Sequence, residues 1–248
     1  MNKKIIGMIH LWKIRWIKNH ELREVIKKWI YDLSQLEEGG IQYACIINES
    51  DIPYKIVISD EEKSMFLQIA KEIQKIAKIK LWVCVLYNDW KATLDIAKAI
   101  HANFVRIDTF VDLVESDAGI IYPQANEIKK YQKEIWAESI ELLTDIHPKH
   151  KKMIEEKTLY DSANQAFKSW SNWIIVTWEC SWDIACLNEI KNLREKLWKR
   201  KIYLWSWASS DNIRDYFKYV DGAFVWTSLK TNWSVDKKKV IELINNCK

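Results

Sequence analysis

Eight apolar runs of strand length, each followed by a stretch of helical period, constrain this chain more than any other feature. The runs are KIIGMIH (4–10), YACIIN (43–48), KLWVCVL (80–86), NFVRID (103–108), IELLTDIH (140–147), WIIVT (173–177), KIYLW (201–205) and GAFVW (222–226). Helical periodicity falls at 20–37, 61–78, 90–100, 123–135, 157–169, 183–197, 210–218 and 236–246. The strands are almost continuously apolar, as a sheet covered on both faces requires. Eight strand–helix repeats favour an α/β fold of one kind, a single (β/α)8 barrel with a parallel eight-stranded sheet, over an open doubly wound sheet. The 248 residues suit one such barrel, and no linker interrupts them, so residues 1–248 read as one domain. On this fold the functional side chains belong at the C-terminal ends of the strands and in the loops that follow.

The bulk numbers exclude several classes. No run of eighteen apolar residues is present, so a transmembrane segment is not expected. The opening MNKKIIGMIHLWKIRW mimics a signal peptide but lacks a small-residue cleavage site, and reads as the first strand. Thirty-eight basic and 34 acidic residues are scattered, giving +4 without a basic stripe, which argues against nucleic acid. The densest cluster, KHKK at 149–152, reads as a solvated loop, with a polyanion site as the alternative. Five cysteines without a CxxC pair fit a reduced, cytoplasmic protein.

One anomaly stands out in the composition: 15 Trp against 5 Gly. Ordinary usage predicts roughly 17 glycines in this length. The tryptophans fall mostly at element boundaries. Trp136, Trp170 and Trp198 follow helices at the left-handed capping position that favours glycine. Trp173 and Trp233 each follow Asn, where Asn-Gly would be an ordinary turn. Trp178, Trp182, Trp205, Trp207 and Trp226 cluster at the ends of strands six to eight, where this fold usually builds a phosphate site. Trp29 alone sits mid-helix. One reading is a tryptophan-rich binder of sugars or quinones. The other is that many of these positions are glycine in the natural protein, encoded by UGA and translated as Trp. Restored glycines would leave loops whose N–H groups can face an anion, beside Ser206, Thr227 and Ser228.

GMIHL, EEGGIQYACIINESDIPY, LYNDW, NFVRID, DIHPKH, IIVT, DGAFVWTSLK and the closing VD resemble, in order and spacing from about residue 5 to 240, the BtpA family, which includes the SgcQ proteins. The resemblance implies a ribulose-phosphate-binding type of TIM barrel and a family whose founding role is in photosystem I biogenesis. Where the family pattern carries glycine this sequence has Trp16, Trp82, Trp136, Trp178, Trp182, Trp205, Trp207 and Trp226. Cys84, Tyr87 and Asp108 stand where the family tends to have Asn, Arg and Asn.

At the predicted mouth, period-2 alternation places Asp145, His147 and Lys149 on one face at the end of strand five, able to supply a base, an acid and a cation, or to form a structural ion-pair network. His10 ends strand one, Asn48 and Asp51 follow strand two, Asn88 and Asp89 follow strand three, and Thr177 ends strand six. Asp51 and Asp89 fit helix capping equally well. Arg106 and Asp108 share a face of strand four, where Arg106 can pair with Asp108 or Asp145. Lys230 can add charge near the phosphate candidates, or lie on the surface. Cys180 has no adjacent histidine to activate it. No cofactor is predicted, although His147, His150 and Asp145 leave a divalent metal open. These readings lead to an enzyme, an isomerase, lyase or hydrolase, acting on a small phosphorylated metabolite. The alternatives are a non-catalytic assembly factor of the photosystem type, or an aromatic binding module. Barrels of this kind are often homo-oligomers by analogy.

Overall fold

A computed structural model of the chain describes residues 3–12, 14–18, 21–177, 184–205 and 208–247 and, of 184–186, the backbone alone. Each apolar run becomes one parallel strand: β1 (Lys4–His10), β2 (Tyr43–Ile47), β3 (Lys80–Cys84), β4 (Phe104–Ile107), β5 (Glu141–Ile146), β6 (Trp173–Thr177), β7 (Ile202–Trp205) and β8 (Gly222–Val225). Neighbours in sequence are neighbours in space, and β1 pairs with β8 through Lys4↔Gly222, closing the barrel. The helices are α1 (Leu22–Glu38), α2 (Asp60–Ile76), α3 (Trp90–Ala99), α4 (Ala125–Glu134), α5 (Leu159–Lys168), α6 (Ile184–Leu197), α7 (Ile213–Tyr216) and α8 (Lys237–Asn246).

The period of 2 sorts each strand between two cores. Ile5, Ile9, Ala44, Ile46, Val83, Val105, Leu142, Ile174 and Val176 face outward onto the helices. Ile6, Met8, Cys45, Ile47, Trp82, Cys84, Leu143, Ile175, Tyr203 and Phe224 fill the barrel. At roughly 1.5–3 kcal/mol for each large apolar side chain fully buried, these layers dominate the stabilising side. Going up the axis, the inward positions turn polar, to Arg106 on β4 and Asp145 on β5. That gradient along the strands positions the site.

Helix starts are set by local chemistry. Ser59 and Thr158 form capping boxes with Glu62 and Asp161, while Asp89 and Asp236 accept from Ala92 and Lys238 N–H groups. Helix ends repeat one motif. After α1, α3, α4 and α5 a left-handed residue is followed by an N–H that reaches back six residues inclusive: Ile41 to Leu36, Ala102 to Ala97, Ala137 to Gln132 and Ser171 to Ala166. The left-handed residue is Gly40 in the first case, then His101, Trp136 and Trp170. Glycine is the favoured occupant of that position because a Cβ crowds the following carbonyl.

Two small sheets were not foreseen. Val114–Ser116, Gly119–Ile121 and Lys152–Met153 form an antiparallel three-stranded sheet that ties the loop after β4 to the loop after β5. Lys230–Thr231 pairs with Ser234–Val235 across the two-residue turn Asn232–Trp233, both with positive φ. Helix α7 is shorter than the expected 210–218, because Ser209 and Asn212 brace a loop ahead of it. Trp173 is not in a turn: it opens β6, and Asn172 accepts the Leu142 N–H instead. No helix among the described residues is long and apolar enough to cross a membrane.

Candidate functional site

The ends of the barrel strands surround a cavity of about 240 Å³ lined by Glu49, Arg106, Asp108, Lys151, Trp205 and Trp226, with Tyr54, Tyr87, Asp117, Lys149 and His150 around its edge. Its base is a buried charge network. Arg106 grips Asp145 through two parallel hydrogen bonds, Nε to Oδ1 at 2.9 Å and Nη2 to Oδ2 at 2.6 Å. Asp108 lies 3.7 Å from the same guanidinium and pairs with the Lys151 ammonium. Lys151 is almost fully buried and lies 4.0 Å from the Tyr87 ring centre. The Trp205 indole covers one face of Arg106 at 3.6 Å.

Burial governs protonation here. It pushes the Asp145 carboxyl up to about 7 against the pull of Arg106. Arg106 stays charged because Asp145 and Asp108 outweigh its own desolvation. Burial also drives the Cys84 thiol and the Tyr87 phenol up to about 12, so neither is a ready nucleophile. Two oppositely charged pairs in one dry floor can hold a proton near neutrality and polarise a carbonyl.

Several expected residues brace the mouth. The Asn48 side chain accepts from Leu86 N–H and donates to Leu86 O, and Asn88 does the same to Thr109, each clamping two strand ends together. Asp89 caps α3 and holds Ile58 N–H, while Asp51 accepts from Arg15 N–H. Thr177 donates to His147 O and accepts from Lys149 N–H, fixing the loop after β5.

Three sequence expectations are corrected. The alternation Asp145–His147–Lys149 fails because β5 ends at Ile146 and His147 is left-handed, φ 47°. The His147 ring therefore lines a different, outer cavity with Tyr160, Glu189 and Lys196. Lys149 does line the mouth. For the same reason Asp145, His147 and His150 do not converge, and no metal-holding group of three or more His, Cys, Asp or Glu is present among the described residues. Third, KHKK is not wholly a solvated loop, because the three-stranded sheet delivers Lys151 into the charge network.

Trp205 and Trp226 line the mouth, their rings 5.4 Å apart. Thr227 is exposed at the start of a short 3-10 turn. Ser228 donates to Ala208 O and lines a separate cavity of about 190 Å³. Trp178, Cys180, Trp182, Ser206 and Trp207 lie outside the described residues. Glu49 and Lys151 were missed by sequence reasoning. Glu49 sits one residue past Asn48 in NES, and only its place in the mouth distinguishes it from a turn residue.

A closed parallel eight-stranded barrel with a charged, strand-end mouth defines the class of this protein: a TIM barrel. The family is equally plain, since the BtpA family model matches residues 1–248, and the chain belongs to that family. It is 29% identical over 249 residues to an uncharacterized protein of Archaeoglobus fulgidus, covering 100% of each chain. It is 23% identical over 239 residues to the photosystem I biogenesis protein BtpA of Synechocystis, covering 94% of this chain and 82% of that one. Among solved structures, N-(5'-phosphoribosyl)anthranilate isomerase from Pyrococcus furiosus superposes with a TM-score of 0.60 at 12% identity, covering 99% of this chain and 98% of the other.

Proposed function

We propose that this chain is an enzyme acting on a small phosphorylated metabolite, a sugar phosphate, bound in the mouth with its phosphate toward the ends of β7 and β8. The observation that carries the reading is the cavity itself, lined by Arg106, Asp108 and Lys151, with Asp145 held behind Arg106 and residues 205 and 226 at the rim. Lys151 and Arg106 would hold developing negative charge on a carbonyl oxygen, and the Asp145 carboxyl, poised near neutrality, would carry the proton. This is the equipment of an isomerase, a lyase or a hydrolase. The fold is shared with an isomerase whose name includes a phosphoribosyl substrate, which favours a phosphorylated ligand. The buried free thiols Cys45 and Cys84 suit a reducing, cytoplasmic setting. Isothermal titration of the chain carrying glycine at 205, 207 and 226 with ribose 5-phosphate tests the proposal: binding that is lost on adding Lys151→Met supports it, and no binding to the glycine form at millimolar ligand overturns it.

We further propose that most boundary tryptophans, those at 205, 207 and 226 included, are glycine in the natural protein through UGA decoding. Backbone geometry supports this. Trp136, Trp170, Trp198 and Trp233 have φ of 55°, 69°, 50° and 65°, and all four indoles are exposed. Trp136 and Trp170 occupy the position that Gly40 fills after α1. Asn232–Trp233 makes the two-residue hairpin turn whose preferred sequence is Asn-Gly. Trp82 Nε1 is buried without a hydrogen-bond partner among the described residues, a costly group that glycine would remove. Trp29, by contrast, is buried mid-helix and donates to His10 O at 3.1 Å, as a genuine tryptophan does. UGA codons at the former positions and UGG at 29 are the expected gene sequence, and UGG throughout would end the idea.

The name of the Synechocystis relative favours a second reading, a non-catalytic assembly factor. It predicts that mouth substitutions leave partner pull-down unchanged.

A further inference from the structure

The β1–β2–β8 side of the mouth holds a chain of titratable groups that the mechanism above leaves idle. His10, the last residue of β1, is nearly buried, with its backbone carbonyl tied to Trp29 Nε1 from α1. Its Nε2 faces Glu49 Oε2 at 2.9 Å, and its Nδ1 faces Lys230 Nζ at 3.3 Å. Glu49 lines the mouth cavity, and Lys230 begins the hairpin after β8. An ammonium can only donate, so Nδ1 accepts, and the single proton of the neutral ring sits on Nε2, beside the carboxylate, although neither Nε2 nor Glu49 Oε2 completes a hydrogen bond among the described residues.

The geometry points to a proton-donating relay, Lys230 to His10 to Glu49, that serves the mouth from the wall opposite Asp145. In one turnover Lys230 gives a proton to His10 Nδ1, and His10 Nε2 gives its own to Glu49. Glu49 then passes a proton to a carbanion or oxyanion of the substrate. His10 then returns its Nδ1 proton to Lys230 and regains one on Nε2 from water in the mouth, so one solvent proton enters the substrate, every group is restored and no other reactant is needed. Burial lowers the Lys230 pKa, against Asp32 and Glu49 and with the help of Lys28, so its proton is more readily given. Burial raises Glu49, but His10, Arg106 and Lys230 outweigh it and keep the resting group ionised. With the Asp145 carboxyl behind Arg106 beneath the cavity and a donor on its β1 wall, the substrate class narrows to compounds in which one site loses a proton and another gains one, as in isomerisation of an α-hydroxy carbonyl. The inference rests on the mouth being the reaction site.

Nitrogen-15 NMR of histidine-labelled full chain tests it, with the His10 signals assigned by their loss in His10→Gln. The expected wild-type ring is the Nε2–H tautomer with Nδ1 as acceptor, which needs no variant to observe. Glu49→Gln and Lys230→Met should each move the ring toward the Nδ1–H tautomer. An Nδ1–H ring in the wild type, or a His10 that ignores both substitutions, overturns the relay. Binding of ribose 5-phosphate to the same samples made with glycine at 205, 207 and 226 separates the two failures: lost binding with the predicted tautomer sinks the site reading, and retained binding with the wrong tautomer sinks the relay alone.

Discussion

Trp136, Trp170, Trp198 and Trp233 sit in a backbone conformation that costs a residue with a Cβ about 1 kcal/mol or more, and their indoles repay little because they face water. Replacing each by glycine is predicted to stabilise the fold by about 1 kcal/mol in urea unfolding, with near-additive effects because the sites are far apart. Replacing Trp29 instead should destabilise by about 3–5 kcal/mol, through a cavity and a lost hydrogen bond. Asp145 carries a pH signature. Its folded pKa is raised to about 7 from an unfolded value near 3.9, so the folded state binds the extra proton between those limits. Its contribution to stability is therefore full below about pH 4 and is lost as pH rises to 7. The stability of the wild type relative to Asp145→Asn should fall over that window, and a constant difference would contradict the assignment. Arg106, Asp108 and Asp145 were legible as a polar group on neighbouring strands. Lys151 and His147 were not, because alternation holds only while a strand lasts, and one left-handed residue at 147 sends its ring to the outer face.

At the scale of elements, Glu62 shows how one side chain can serve a helix and a loop together. It closes the α2 capping box and takes Arg15 and Lys55, and although burial pulls its pKa up, these partners bring it down to about 2. The linkage runs opposite to that of Asp145. Stability from Glu62 is present above about pH 4.5 and is lost as pH falls toward 2, so the penalty of Glu62→Gln should shrink over that range in acid unfolding. Ser59→Ala should cost about 1 kcal/mol by uncapping the same helix. All eight strands and eight helices were readable from period and apolar content, with ends within a few residues. The three-stranded sheet was not, because two- and three-residue strands carry too few side chains to show a period. That sheet matters most to the site, since it seats Lys151 on Asp108.

For the whole molecule, closure of the barrel turns scattered residues into a single cavity. Glu49, Arg106, Lys151 and Trp226 come from loops and strands spread over the chain, and only the β1–β8 pairing brings the two walls to face each other. In this geometry the indoles at 205 and 226 occupy the rim where an anion would meet backbone amides. The decisive measurement is amide NMR of the chain carrying glycine at 205, 207 and 226, titrated with ribose 5-phosphate. The account predicts saturable shifts that are largest at residues 205–207 and 226–228 and much weaker shifts in the tryptophan form. Amides there that stay unmoved in the glycine form at saturating ligand would contradict it.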